Sequence, residues 1–184
     1  LAFGRRDKPS LGPTNLGDLL RSFEPSVRSL LPENIEIHLA ERANIPLIDA
    51  DASGVERILM NLVTNARDAM PEGGSLFVEI TRTSVSSHQR MGKLWISPGD
   101  YVCASVSDTG LGMDEETMAK LFEPFFTTKP LGKGTGLGLA MVYELMGLHG
   151  GFVTAYSEEA QGTTIKLYFP ISTAHVAPSD YEEI

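Results

Sequence analysis

Residues 54–70 read GVERILMNLVTNARDAM, and this stretch decides the fold class of the chain. Wound as a helix at ~100° per residue, it places its apolar side chains on one stripe, made of Val55, Ile58, Leu59, Leu62, Val63, Ala66, Ala69 and Met70. Asn61, Asn65 and Asp68 follow one another at i, i+4 and i+7 and form a polar stripe beside it. The pattern predicts an amphipathic helix that buries one face and presents polar groups along its edge.

The ends of this helix and its polar edge carry further signals. Asp51 or Ser53 is expected to cap the N-terminus, and residues 71–74 (PEGG) end the helix. Two amides beside a buried face, those of Asn61 and Asn65, suit oxygen ligation of Mg²⁺ or hydrogen bonding to phosphates. The other interpretation is an ordinary solvated helix edge, and the helix alone leaves both open.

Outward from the helix, short strands alternate with a few further helices. Strands are predicted at residues 35–40, 45–49, 75–83, 101–108, 151–157 and 163–170. Helices are predicted at 15–31, interrupted near Pro25, at 114–121, and at 137–148, where the largely apolar composition indicates a buried helix. Residues 84–100 are expected to form a hairpin insertion and residues 122–135 a lid. This order predicts a two-layer α/β sandwich in which helices cover one face of a mixed sheet.

Length and charge limit what the chain can be. Its 184 residues fit one domain with short flanks, predicted as a linker at 1–14, a domain at 15–170 and an acidic tail at 171–184. The net charge of −9 argues against a nucleic-acid partner and against direct contact with an anionic membrane. A single cysteine, Cys103, excludes a disulfide framework and suits a reducing cytosol, and its apolar surroundings indicate a place in the core.

A second motif, DTGLG, occupies residues 108–112. Asp108 is in phase with the apolar residues of the preceding strand, so its carboxylate faces inward at the strand end. A carboxylate there needs a donor, because burying it unpaired costs several kcal/mol. The exocyclic amine of a ligand would serve, and Gly110 and Gly112 would allow the backbone to approach that ligand. The alternative is a simple Asp-Gly turn in which the aspartate only caps.

A third motif, GKGTGLGL, occupies residues 132–139 and leads into a helix. Such a glycine-rich entry exposes backbone N–H groups at the positive end of the helix dipole, which favours phosphate even in an acidic protein. It is not a Walker A loop, because Gly134 follows Lys133 where Ser or Thr is required. It also departs from GxGxxG, because Leu139 stands where the third glycine would be. A merely flexible loop is the alternative.

The segment 122–129, FEPFFTTK, lies between the second and third motifs. Its aromatic side chains around a proline can anchor a lid, and Lys129 and Lys133 could reach phosphate when the lid closes. Either lysine could equally be an ordinary solvated one. Thr163, at the start of the last predicted strand, could donate or accept in a pocket or be an ordinary strand residue.

Together and in this order, the motifs resemble those of sensor histidine kinases. Residues 61–70 resemble the N box, 108–112 the G1 box, 122–129 the F box and 134–139 the G2 box. The resemblance is to the catalytic and ATP-binding domain of these kinases, within the GHKL superfamily. It covers about residues 15–170 and implies the Bergerat fold, with a mostly antiparallel mixed sheet.

The same resemblance implies ATP and Mg²⁺ as cofactors and assigns the site residue by residue. Asn61 and Asn65 are the expected catalytic residues, with Asn65 coordinating Mg²⁺ and Asn61 supporting the phosphates. Asp108 would bind the adenine amino group with help from Thr163 and a water molecule. Lys129 or Lys133 would contact the terminal phosphates. The remaining nucleotide-binding residues by this likeness are Asp68, Gly110, Gly112, Gly134, Thr135, Gly136, Leu137, Gly138 and Leu139.

One position separates branches of the superfamily. The hydrolysing members resemble one another in carrying a glutamate four residues before the Mg²⁺-binding asparagine, where it activates water. Here that position is Asn61, whose amide is no useful base near neutral pH. Phosphotransfer is therefore expected over hydrolysis. The alternatives are a GHKL ATPase, a serine kinase of the anti-sigma type and a non-catalytic nucleotide-sensing module.

No histidine of the chain has the context of the family's phosphoacceptor, a histidine followed by an acidic residue. The four histidines are His38, His88, His149 and His175. The opening residues LAFGRR resemble the end of a helical dimerisation domain, so the acceptor is expected on that separate domain of the parent protein. A response-regulator receiver domain would act downstream. The expected location is the cytoplasm, and the parent protein could be membrane-anchored.

Overall fold

A computed structural model describes residues 10–91, 94–130 and 134–173 of the chain. Its strands and helices follow one another in the order β1 (Gly12–Thr14), α1 (Leu16–Leu30), β2 (Ile35–Glu41), β3 (Ile48–Ala50), α2 (Ala52–Ala69), β4 (Gly74–Val85), β5 (Gln89–Met91), β6 (Leu94–Ile96), β7 (Gly99–Asp108), α3 (Glu115–Lys120), α4 (Gly138–Leu148), β8 (Phe152–Glu158) and β9 (Gly162–Pro170).

The main sheet has five strands in the order β2-β4-β7-β9-β8. Only β2 and β4 pair in parallel, whereas β4 with β7, β7 with β9 and β8 with β9 are antiparallel. Apolar residues alternate along the central strands, so that Leu76, Val78 and Ile80 are buried on one face. The predicted mixed, mostly antiparallel sheet is confirmed.

Helices α1, α2 and α4 supply the second layer. The apolar stripe of α2 packs into one core with the inner sheet face, as its repeat of apolar positions predicts. Asp51 is the N-cap of α2, and its carboxylate accepts a hydrogen bond from the Ser53 N–H at 3.1 Å. Met70 ends the helix. The two-layer α/β sandwich and the long helix are therefore confirmed.

The predicted interruption of the first helix at Pro25 is wrong, because α1 runs from Leu16 to Leu30 without a break. Proline in a helix interior costs about 3 kcal/mol through the lost hydrogen bond and a steric clash. Here Pro25 is exposed, while its neighbours Phe23 and Val27 are buried on the core side of the helix. Burial of this apolar face holds the helix together across the proline.

Residues on either side of the predicted domain, 15–170, also pair with it. Residues 12–14, assigned to the linker, form β1 and pair antiparallel with β3. Ile171, assigned to the tail, bridges to Ile48, and the Ser172 N–H donates to the Leu47 carbonyl at 2.8 Å. Strands this short have no pattern of their own, since they exist only by pairing with a distant segment. Residues 1–9 and 174–184 lie outside the described residues.

The predicted burial of the last helix is wrong in part. Val142 and Met146 are fully buried, but Leu148 is 48% exposed and Tyr143 38% exposed. An apolar composition does not show which side of a helix meets the core, and only one side of α4 packs against α2 and β8.

The insertion forms the predicted hairpin from β5 and β6, which pair antiparallel. Beyond it, Ile96 packs with Tyr101 and Phe152 in a small apolar cluster separate from the main core. Cys103 is a buried free thiol, as expected for a core residue. Across the part of the chain described above, no helix is both long and apolar enough to cross a membrane.

Candidate functional site

A cavity of about 640 Å³ opens between α2, the adjoining ends of β7 and β9, and the two loops that precede α4. This volume is in the range of small-molecule sites. Most of the sequence-predicted site residues line it, namely Asn61, Asn65, Asp68, Asp108, Gly112, Lys129, Gly134, Thr135, Gly136, Gly138, Leu139 and Thr163. Gly110 and Leu137 do not line it, and Lys133 lies outside the described residues.

One wall of the cavity is the polar edge of α2. The Asn61 amide nitrogen donates to the Arg57 carbonyl at 2.8 Å, which orients the amide oxygen of Asn61. That oxygen lies close to Gly138, where a Cβ atom would come within 2.9 Å of it. In the described part of the chain, no hydrogen bond is formed by the Asn65 side chain, although Asn65 lines the cavity. Its amide is therefore available to a ligand.

The opposite end of the cavity is built around Asp108, the last residue of β7. Its Oδ1 accepts a hydrogen bond from the Gly110 N–H at 2.9 Å. Burial raises the pKa of Asp108, and hydrogen bonds from the backbone N–H groups of Gly110 and Thr163 only partly offset this. Thr163 is the cross-strand partner of Asp108 on β9, and its hydroxyl is 2.9 Å from the Ser157 hydroxyl. The carboxylate thus keeps acceptor capacity for a ligand donor.

The floor beside Asp108 is apolar, and the sequence interpretation did not identify it. Its residues are Leu62, Ala66, Val106, Met113, Leu121 and Ile165. A signal was available, because Val106 stands two residues before Asp108 and Ile165 two residues after Thr163, on the same strand faces. An apolar floor next to a half-buried acceptor suits a planar heterocycle that carries an exocyclic amine.

Two glycines allow the backbone to close around the cavity. Gly112 has φ +66°, and a Cβ there would lie 1.8 Å from the Glu158 carbonyl oxygen. Gly136 has φ +64°, and a Cβ there would lie 2.4 Å from the Phe125 carbonyl carbon. Both conformations favour glycine. Side chains at these positions would separate the loops that enclose the site.

The helix α4 begins at the cavity without a side-chain cap. Its N-cap residue Leu137 makes no side-chain capping hydrogen bond, and Gly138 lines the cavity at the first helical position. The Thr135 hydroxyl accepts from the Leu137 N–H at 3.3 Å and so shapes the approach to the helix. Unpaired N–H groups in the first turn, together with the helix dipole, attract an anionic group.

Asp68 has two cationic partners instead of a free carboxylate. Its Oδ2 accepts from the Lys129 ammonium at 2.5 Å, and its Oδ1 accepts from the Arg67 guanidinium at 2.8 Å. Burial raises the pKa of Asp68, but the hydrogen bonds from Lys129 and Arg67 lower it, and the net direction is downward. Asp68 is therefore ionised at neutral pH, and each of its carboxylate oxygens already accepts from a cationic side chain of the protein.

The residues present fit Mg²⁺ only together with a phosphate ligand. In the described residues, no group of three or more His, Cys, Asp or Glu side chains could hold a metal ion. Mg²⁺ commonly keeps several waters and takes few protein ligands beside substrate phosphates. The Asn65 amide lies at the same end of the cavity as Lys129 and the α4 N-terminus. It could therefore serve as one of the few protein ligands of such a metal ion.

The sequence of the chain matches a known protein family. A family described as "Histidine kinase-, DNA gyrase B-, and HSP90-like ATPase" matches residues 50–173. The chain belongs to this family. Its similarity to sensor kinases extends over most of its length, as the predicted motifs had indicated.

Curated relatives are named sensor kinases. The chain is 38% identical over 170 residues to the sensor kinase CckA of Brucella abortus. The matched residues make up 92% of the chain and 18% of the relative. It is 33% identical over 145 residues to the sensor histidine kinase ZraS of Escherichia coli K12, covering 78% of the chain and 28% of the relative. The chain thus spans less than a third of the length of these relatives.

Solved structures agree with the family assignment. The full-length kinase ShkA in complex with AMPPNP has a TM-score of 0.71 and 30% identity, over 91% of this chain and 32% of that one. The nucleotide-free catalytic domain of the histidine kinase ThkA has a TM-score of 0.65 and 28% identity, over 88% of this chain and 96% of that one. The chain therefore corresponds to the ATP-binding catalytic domain of sensor histidine kinases.

Within the described part of this kinase domain, no free carboxylate lines the cavity beside the polar edge of α2. Among the described residues that line it, the acidic ones are Asp68 and Asp108. Asp68 is paired with two cations, and Asp108 lies at the end formed by β7 and β9. Among these described residues, a water molecule next to Asn65 would find no free carboxylate to act as general base.

Proposed function

We propose that this domain binds Mg-ATP and transfers its γ-phosphate to a histidine on a separate dimerisation domain of the parent protein. One observation carries the proposal. A single cavity joins an apolar floor with a half-buried carboxylate to a polar end that holds two amides, a lysine and an uncapped helix N-terminus. ATP matches both parts of the cavity, because its adenine is a planar heterocycle with an exocyclic amine and its triphosphate is anionic.

At the base-binding end, Asp108 accepts a hydrogen bond from the exocyclic amine of adenine. Thr163 stands beside it and supplies a hydroxyl, either directly or through water. The apolar floor contacts the faces of the ring and excludes water, which strengthens the hydrogen bond at Asp108. A guanine carbonyl at the same place would face the carboxylate unfavourably, so the pocket selects adenine.

At the phosphate end, this chain's residues position and neutralise charge. The first-turn N–H groups of α4, the Asn61 amide and the Lys129 ammonium surround the phosphates. When bound, Mg²⁺ supplies charge neutralisation at the phosphate oxygens, with Asn65 as its protein ligand. Phosphoryl transfer needs mainly such positioning and electrostatic stabilisation. The base that assists the acceptor histidine comes from the acceptor domain.

An exposed apolar surface next to the cavity supports a helical acceptor partner. Phe125 is 72% exposed on the lid, and the N-cap residue Leu137 and Tyr143 of α4 are also exposed. The Phe125 N–H donates to the Gly136 carbonyl, just before α4, at 2.8 Å, and Tyr143 packs on Phe122 of the lid. Exposed aromatic and aliphatic groups of this kind mark interaction sites. In this proposal the kinase acts in the cytoplasm, and a response-regulator receiver domain takes the phosphate from the acceptor histidine.

The proposal is tested by incubating the chain with the dimerisation domain of its parent and γ-labelled ATP. We expect label on the dimerisation domain as an acid-labile, base-stable phosphohistidine. Acid-stable label would indicate a serine kinase instead. Steady release of free phosphate without label would indicate an ATPase, and binding without either product would indicate a nucleotide-sensing module.

A further inference from the structure

The ion pair between Asp68 and Lys129 joins two parts of the site that are 61 residues apart in sequence. Asp68 lies on α2, three residues after Asn65, whereas Lys129 belongs to the loop that covers the cavity. Each side chain is about one-third exposed, at 30% for Asp68 and 33% for Lys129, and both line the cavity, so the pair is a partly solvated contact at its edge.

The loop around Lys129 is fixed at other points as well. The Lys129 N–H donates to the Thr127 hydroxyl at 3.2 Å. Gly134 packs on the lysine stem, since a Cβ there would lie 3.1 Å from Cβ and 3.2 Å from Cδ of Lys129. The direction of the lysine stem is therefore set by the loop, and the position of its ammonium by Asp68.

We propose that Asp68 is a positioning residue that holds the Lys129 ammonium at the place of the terminal phosphate and does not itself bind nucleotide or metal. The inference rests on the proposed function. A lysine ammonium has three donors, and the hydrogen bond to Asp68 uses one of them. Two donors remain for phosphate oxygens. Holding the ammonium in place beforehand reduces the loss of side-chain freedom when ATP binds.

The surroundings of Asp68 argue against a direct ligand role. Both carboxylate oxygens already accept hydrogen bonds, Oδ1 from Arg67 and Oδ2 from Lys129. With two cations against one anion, this corner of an acidic domain has a local positive charge. That sign attracts phosphate.

The test measures binding of ADP and of a non-hydrolysable ATP analogue, both with Mg²⁺, to four proteins. These are the wild-type chain, Asp68→Asn, Lys129→Met and the double variant. We expect Asp68→Asn to lower the affinity for the ATP analogue about tenfold, because one charge-assisted contact is lost. The affinity for ADP should be nearly unchanged. In the Lys129→Met background, Asp68→Asn should have no further effect. Glu24→Gln, which breaks the Arg28–Glu24 ion pair of α1, is the control with the same charge change.

The outcomes separate the two proposals. If the wild-type chain binds neither nucleotide, the proposed function fails. If the wild type binds both but Asp68→Asn still weakens the analogue in the Lys129→Met background, Asp68 contacts the ligand directly and the positioning role is overturned. Unchanged analogue binding by Asp68→Asn would also overturn it. Thermal unfolding of each variant identifies any loss of fold, which would affect ADP and the analogue alike.

Discussion

Asp108 and Asp68 are aspartates of one cavity with opposite electrostatic settings. Burial raises the pKa of Asp108, whereas Arg67 and Lys129 lower that of Asp68 despite its burial. The first carboxylate has an environment that is short of donors, and the second is supplied with two cations. The first is therefore suited to accept a ligand donor and the second to hold a protein group in place.

Replacing Asp108 with Asn should weaken ATP binding without destabilising the free domain. An amide retains an acceptor oxygen but loses the charge that strengthens the hydrogen bond to the adenine amine, so affinity should fall at least about tenfold. Because the raised pKa means that the ionised carboxylate costs stability at neutral pH, the free variant should unfold at the same or a higher temperature. Calorimetric titration and thermal unfolding measure the two effects, and unchanged ATP affinity would contradict the adenine-binding role.

ATP affinity should also fall as the solution becomes acidic. In the proposed complex, Asp108 accepts from adenine most strongly when it is ionised, and its raised pKa means that protonation begins at a higher pH than for an ordinary aspartate. As the pH falls through that raised pKa, protonation of Asp108 weakens its hydrogen bond to adenine. In the free protein, the same protonation removes the free-energy cost of desolvating the charge. Titrations of wild type and Asp108→Asn across the acidic range check this. A loss of the same size in the variant would assign the pH dependence to another group.

At the scale of elements, His149 joins the end of α4 to the start of α2. Its side chain is buried, its Nε2 accepts from the Asp51 N–H at 3.1 Å, and its Nδ1 is 2.7 Å from the Leu145 carbonyl. Because Nε2 accepts, the ring is the neutral tautomer whose Nδ1–H donates to Leu145. The contact fixes the helix that begins at the phosphate end against the helix that carries Asn65.

His149→Ala should therefore destabilise the domain by about 2–4 kcal/mol, since it leaves a cavity and removes the acceptor of the Asp51 N–H. Urea unfolding gives the change in free energy. Leu148→Ala is the matched control, because Leu148 is 48% exposed on the same helix and its truncation should cost much less. Equal effects of the two substitutions would show that His149 does not join the helices as inferred.

Gly136→Ala should disrupt the lid and leave the core intact. Alanine is strained at φ +64°, and its Cβ would meet the Phe125 backbone at 2.4 Å, so the contact between the lid loops must open. We expect clearly weaker nucleotide binding with a small change in unfolding free energy, because the lid is not part of the core.

A second glycine of the same region provides the control for that experiment. A Cβ at Gly147 of α4 would meet nothing within 4 Å, and alanine favours a helix over glycine by about 1 kcal/mol. Gly147→Ala should retain nucleotide binding and gain stability. If Gly136→Ala binds nucleotide as well as Gly147→Ala does, the lid contact has no part in binding.

At the scale of the whole molecule, local patterns predicted what local interactions determine. The periodic spacing of apolar residues that are close in sequence predicted the helix over residues 52–69. The same kind of pattern predicted that Asp108 faces inward at the end of its strand. The strand β1 and the pairing at Ile171 depend on a distant partner, so no local pattern marks them. The Asp68–Lys129 ion pair could not be predicted for the same reason, because its two residues are far apart in sequence. The exposure of α4 could not be predicted from an apolar composition alone.

The most direct test of the proposed Mg-ATP site is calorimetric titration of a non-hydrolysable ATP analogue, with and without Mg²⁺, into the wild-type chain and into Asn65→Ala. We expect Mg²⁺ to strengthen binding to the wild type and to have little effect on the variant, because Asn65 is the proposed protein ligand of the metal. Binding by the wild type that ignores Mg²⁺, or an equal Mg²⁺ effect in Asn65→Ala, would contradict the assignment of the phosphate end. No binding to either protein would contradict the claim that this cavity holds Mg-ATP.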